Sequence, residues 1–183
     1  MAKNDFTFVK SHPVPPIELM QCEVLPGRFR NFSGDPEKGF GSNKRTCCIT
    51  IPDKAFAEEL KAFGWNISIL APRDETEEPK YFLQVKVAFR DKYGNLKNEQ
   101  MQPKIFMVNA RNKIRMSEDM VSDIDQQIIT SAKARITGAW WEKHSTGEEG
   151  VSAYLDSLVY SIREDDFLKN ALGEFPDPDE LPF

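Results

Sequence analysis

The sequence predicts a mainly β protein, a small β-barrel of about five to seven strands with one or two helices. Three observations point there. Segments with strand-like alternation recur along the chain, separated by short turn signals. A single segment carries a clear helical stripe. Strands and helices do not follow one another in the alternating order that builds a parallel sheet.

Taken in order, residues 1–19 hold the proline cluster "HPVPP" and little periodicity, which predicts an arm. "MQCEVLPGRFRNF" reads as a strand bent at Pro26-Gly27. "SGDPEKGFGSN" is a loop, and the β-branched "KRTCCITI" is a strand. "PDKAFAEELKAFG" predicts a helix, with Asp53 as N-cap, Phe56, Leu60 and Phe63 in one stripe, and Gly64 as the stop. "WNISILAP" is the next strand and "RDETEEPK" a charged loop. "YFLQVKVAFR" alternates, placing Tyr81, Leu83, Val85, Val87 and Phe89 on one face. A turn-rich loop leads to the strand "KIFMVNAR". "SEDMVSDIDQQII" predicts a short helix capped by Ser117, with Met120, Ile124 and Ile128 in register. "SAKARITGAWWEK" and "GVSAYLDSLVYSIRE" are two strands joined through "HSTGEEG".

The 183 residues are enough for one domain with a real core. No run approaches the roughly 18 apolar residues of a membrane span, and the N-terminal stretch lacks the apolar region of a signal peptide. Cys22, Cys47 and Cys48 read as reduced, packed thiols, because adjacent strand residues point to opposite faces and no C-x-x-C or His/Cys cluster is present. The net charge of −5 is unevenly distributed: residues 164–183 hold seven acids and one base, leaving 22 acids and 23 bases in residues 1–163. A near-neutral body with a charged end is the signature of an interaction tail.

Chemistry-bearing motifs are scarce. The two histidines, His12 and His144, fall in the arm and a hairpin loop. Phosphate-loop and nucleophile motifs are missing. Asp119, Asp123 and Asp125 read as a solvated helix face rather than a metal site, and no cofactor is expected. What the body offers instead is cations interleaved with aromatics. On strand alternation, Arg28, Arg30 and Phe32 share one face, opposite Phe29 and Asn31. Phe82, Lys86 and Arg90 share another. Lys133, Arg135 and Trp141 align if Gly138 makes no bulge. Lys44, Arg45, Lys104, Arg111 and Lys113 add to the set, and Trp65 and Trp140 are expected to pack inward. Single-stranded nucleic acid requires such a mixture, with cations for its phosphates and flat rings for unstacked bases.

The terminus "DPDELPF" resembles the acidic tip of bacterial single-stranded DNA-binding proteins. The body is similar to phage-encoded single-stranded DNA-binding proteins with an OB-like barrel, through "RFRNFSG", "NKRTCCITI", "LKAFGWNISIL", "LQVKVAF" and "GVSAYLDSLVYSI". One departure is that the clear helix follows the second expected strand, not the third. The resemblance implies an N-terminal arm (1–19), an OB-like DNA-binding domain (20–163) and a disordered acidic tail (164–183). It implies a non-enzymatic protein that coats and protects single strands in replication, recombination or repair, in the cytoplasm of a bacterial host. The tip would recruit a polymerase, helicase, primase or recombinase. Asp177, Asp179 and Glu180 would steer toward a basic rim while Leu181, Pro182 and Phe183 anchor in a pocket. No membrane partner is expected, and a homo-oligomer is compatible with the sequence. Two other readings stay open: a recombination mediator or strand-annealing protein, and a competitor for the host partners of such tips that binds no DNA.

Overall fold

A long hairpin organises the sheet. Strands β9 (Ile129–Lys143) and β10 (Glu148–Ile162) pair antiparallel over nearly their whole length, closed by a turn in which the Lys143 carbonyl accepts from the amides of Thr146 and Gly147. The computed structural model describes residues 13–39, 43–109, 112–143 and 145–163, together with the backbone of Phe6–Thr7. The other strands are β1 (Phe6–Thr7), β2 (Ile17–Cys22), β3 (Arg30–Asn31), β4 (Thr46–Ile51), β5 (Ile67–Leu70), β6 (Lys80–Lys86), β7 (Lys104–Val108) and β8 (Lys113–Arg115). They form one ten-stranded sheet whose main path is β1-β9-β10-β6-β4-β3. Strand β2 joins β9, β5 joins β6, and β7 bridges β10 and β8.

The mainly β class expected from sequence is what the chain adopts, with more strands than expected and, among the described residues, no closed ladder. The sheet path is open. Beyond β2, an isolated Val24–Ile49 bridge, the amides of Leu25 and Thr50, and the Glu23 amide donating to Thr50 Oγ1 tie residues 23–25 to β4. Strand β6 meets β10 at one registered pair, Lys86 with Tyr154, and an isolated Trp65–Val151 bridge lies nearby. Two leaves of sheet, β3-β4-β6-β5 and β2-β9-β10-β7-β8, therefore curl around a shared core. Ile49, Leu83, Val85, Ile105, Ile136 and Leu158 lie at its centre. Within the described residues, no helix is long and apolar enough to cross a membrane.

Helix α1 (Lys54–Phe63) forms where its cap predicts: the Asp53 carboxylate accepts from the amides of Ala55 and Phe56. It buries Ala57 and Leu60, while Phe63 stays partly exposed against the Trp140 ring, 5.2 Å away between centroids. Trp65 is buried, packed beside Gly138, where an added Cβ would stand 2.6 Å from the indole. Gly138 makes no bulge, so β9 keeps its alternation. The expected helix over 117–129 is instead a 3-10 turn, Val121–Gln126, with Val121 and Ile124 buried three apart and Met120 and Ile128 exposed. Ile17 and Leu19, within the stretch expected as an arm, are core residues of β2.

Candidate nucleic-acid interface

Registration of β4, β6 and β5 builds one outward face. Thr46 pairs with Lys86, Cys48 with Gln84, and Thr50 with Phe82, which also pairs with Ser68. The alternate residues Cys47, Ile49, Leu83 and Val85 enter the core, so Phe82, Gln84 and Lys86 must point the other way. A 3-10 turn, Gly27–Phe29, folds over the edge of this face. Gly27 starts it with φ of 67°, a left-handed backbone that a side chain would strain. The turn sets Phe29 edge-on to Phe82, ring centroids 5.4 Å apart and planes at 66°. The Arg28 guanidinium lies over the Phe29 ring at 4.9 Å.

The result is a groove of about 570 Å³. Arg28, Lys38, Lys44 and Lys86 line it with Phe29 and Phe82, alongside Asn31, Asn66, Ser68 and Gln84. No carboxylate belongs to its described lining. Lys86 is a junction. Its ammonium lies 5.4 Å from the Tyr154 ring, and it also borders two further hollows. One, of about 530 Å³, runs between the two leaves to Lys61 and Trp141. The Trp141 ring covers Gly150, its cross-strand partner, whose missing Cβ would stand 3.0 Å away. The other, of about 450 Å³, holds Lys44, Arg45, Arg90, Lys92 and Tyr154 together with Asp91 and Glu118. Here Arg90 forks onto Glu118, with a closest approach of 2.7 Å, and this hydrogen-bonded pair holds the Glu118 carboxyl below the usual carboxylate range.

Several residues expected at the interface gather here: Arg28, Lys44, Phe82 and Lys86 in the groove, with Arg45, Arg90 and Trp141 in the adjoining hollows. Of these, Arg45 donates to the Phe32 carbonyl. Lys104, Lys113, Lys133 and Arg135 lie elsewhere, on β7, β8 and β9. Arg111 and the tip residues Asp177, Asp179, Glu180, Leu181, Pro182 and Phe183 fall outside the described residues.

Arg30 and Phe32 are corrections. Both are inside the protein, 2% and 0% exposed, where no base or phosphate reaches them. Arg30 Nε donates to the Leu25 carbonyl, Nη2 to Val24, and Nη1 to both Ile124 and Gln127. Burial pulls the guanidinium pKa down. It ties residues 23–25 to the 3-10 turn after β8, and Asp125 completes the junction by accepting from the amides of Phe32 and Ser33 at 2.7 and 3.2 Å. The alternation assumed across "GRFRNF" fails because the 3-10 turn interrupts it. That reversal also hides Phe29, which belongs to the groove. Lys38 sits in an aperiodic loop that gave no signal. Tyr154 was legible, since it alternates with the buried Ala153 and Leu155.

A curled β-sheet bearing an acid-free cationic groove with two rings in it has the make-up of a single-strand nucleic-acid binder. The family model described as "Putative phage ssDNA-binding domain" matches residues 9–181, and the chain belongs to that family. No curated protein matches the chain at a significant level.

Proposed function

We propose that the protein coats single-stranded DNA with little sequence preference, protecting strands exposed in phage replication, recombination or repair. The groove of Arg28, Lys38, Lys44 and Lys86 around Phe29 and Phe82 is the observation that carries this reading. Phosphates neutralised by Arg28, Lys44 and Lys86 release counterions, so affinity falls as salt rises, while Lys38 is already held by Asp125 at 3.7 Å and by the Arg30 carbonyl. Bases stack on the rings, which accept any base because each has a π-face. The hydrogen-bonding side chains Asn66, Ser68 and Gln84 are flexible partners rather than a fixed code. In the same reading, residues 176–183 capture a replication or recombination protein with a basic, apolar pocket, and the acids speed the encounter.

The test is titration of labelled oligo-dT at two salt concentrations, with full-length protein and with residues 176–183 removed. The expected result is tight binding at low salt, a marked loss at high salt, and binding in the truncated protein equal to or stronger than full length. Equal affinity for duplex and single strands, or no binding at low salt, refutes the DNA reading. Clear loss of DNA affinity on truncation refutes the role given to the tail.

A further inference from the structure

A second set of cations lies on the outer side of the sheet, away from the groove. Strands β8, β7, β10 and β9 lie side by side, and their registers place Arg115, Phe106, Val159 and Lys133 in one row. On either side run the rows Lys113, Val108, Ser161 and Lys104, Ser157, Arg135. The intervening residues Ile105, Leu158 and Ala134 are buried, so these rows face outward. Three strand spacings make the central row about 14 Å wide. Lys113 Nζ lies 4.3 Å from the centre of the Phe106 ring, and Lys133 is exposed at the far end of the row. The face thus shares the groove's pairing of a ring with cations, with Arg115 held by Glu99 at 3.3 Å.

The two surfaces are continuous along β10. Tyr154 belongs to the hollow beside Lys86, and Val159 lies as far along the strand as their β9 partners Thr137 and Lys133 are apart, about 14 Å. A bulge between Leu155 and Ser157 sets Asp156 in that path. Arg135 offsets its charge, donating to the Asp156 carboxylate at 3.1 Å while also facing Glu18 at 3.3 Å. Shared between two carboxylates, Arg135 leaves this stretch of the route with one net negative charge and is not a free phosphate contact.

We infer that this face is a second single-strand subsite, taking the continuation of a DNA strand that lies in the groove. Phe106 supplies the stacking ring, and Lys104, Lys113 and Lys133 receive phosphates. The inference rests on the single-strand reading of the groove, and its test separates the two. Full-length protein carrying Lys113→Glu and Lys133→Glu is compared with wild type and with Lys86→Glu, on oligo-dT of about six and about twenty nucleotides, lengths that bracket a single site. Thermal melting verifies that each variant is folded.

In the double variant, the long oligonucleotide is expected to lose tenfold or more at low salt while the short one is unchanged. Its salt slope falls by about 1.4, two phosphate contacts at about 0.7 each. Lys86→Glu weakens both lengths. An unchanged long oligonucleotide, or equal loss at both lengths, overturns the subsite and leaves the groove standing. Tighter binding of both lengths, vanishing when residues 164–183 are removed, overturns it in favour of the acidic tail as occupant. If wild type binds neither length, the groove reading falls and this subsite falls with it.

Discussion

The two arginines of "RFR" should fail in opposite ways. Replacing Arg30 with Met keeps much of the side chain's length but removes every donor. The carbonyls of Val24, Leu25 and Gln127 then lose the bond that Arg30 gives them, and the Ile124 carbonyl keeps only the Gln127 amide. A stranded buried acceptor costs about 1–3 kcal/mol. Gln127 is only partly buried, so water can replace its bond, and the chain recovers the cost of desolvating a cation. The expected net loss is about 3–5 kcal/mol, two or three stranded acceptors less the recovered desolvation. With a urea slope of about 2 kcal/mol per M, the unfolding midpoint drops by about 2 M. Tryptophan fluorescence reads it out, since Trp65 is 3% exposed and its surroundings change on unfolding. Arg28→Ala, an exposed change, should stay within about 0.5 kcal/mol of wild type. It should instead weaken oligo-dT binding and lower the salt slope by about 0.7. A midpoint shift below about 0.5 M in Arg30→Met refutes the reasoning. So does a folded Arg30→Met that loses DNA while Arg28→Ala keeps it.

Phe82→Ala should cost about 1–3 kcal/mol of oligo-dT affinity by loss of one stacking ring, measured by fluorescence anisotropy; unchanged affinity removes Phe82 from the interface. Gly138→Ala drives a methyl to within 2.6 Å of Trp65 and Val151 and should destabilise by about 1–3 kcal/mol, seen as a lower melting temperature. Burial pushes the thiols of Cys22 and Cys48 up to about 12 and about 11, and that of Cys47 above its ordinary range. The folded protein keeps these protons while the unfolded chain releases them above about pH 9, so this contribution is intact below pH 9 and lost as pH rises toward the folded values. The native thiols should resist a disulfide reagent at pH 8 and react once urea unfolds the chain, and rapid native labelling contradicts their burial.

Periodicity made the strands legible because a half-buried strand writes its two faces into alternate residues. "YFLQVKVAFR" shows this best: Leu83 and Val85 are core, and Phe82 and Lys86 lie in the groove. The same rule misled at Arg30 and Phe32, where a 3-10 turn after Pro26-Gly27 resets the alternation. Residues 121–126 misled for a related reason. Arg30 takes the Ile124 and Gln127 carbonyls and Asp125 is held by the Phe32 and Ser33 amides, so tertiary bonds fix a tighter turn than the local pattern suggests. The division of the cations between two surfaces was not readable at all. It depends on β10 pairing with β6 and then with β7 along one edge, a long-range register that local spacing does not encode.

That shared edge has a mechanical consequence. The two leaves are sewn there by few stitches, Lys86 to Tyr154 and Trp65 to Val151, and the hollow next to the groove opens over the seam. A polymer lying across it would grip both leaves at once and act as a splint. The loaded protein should then be stiffer than the empty one, and amide exchange around residues 84–88 and 152–156 should slow more than anywhere else in the fold.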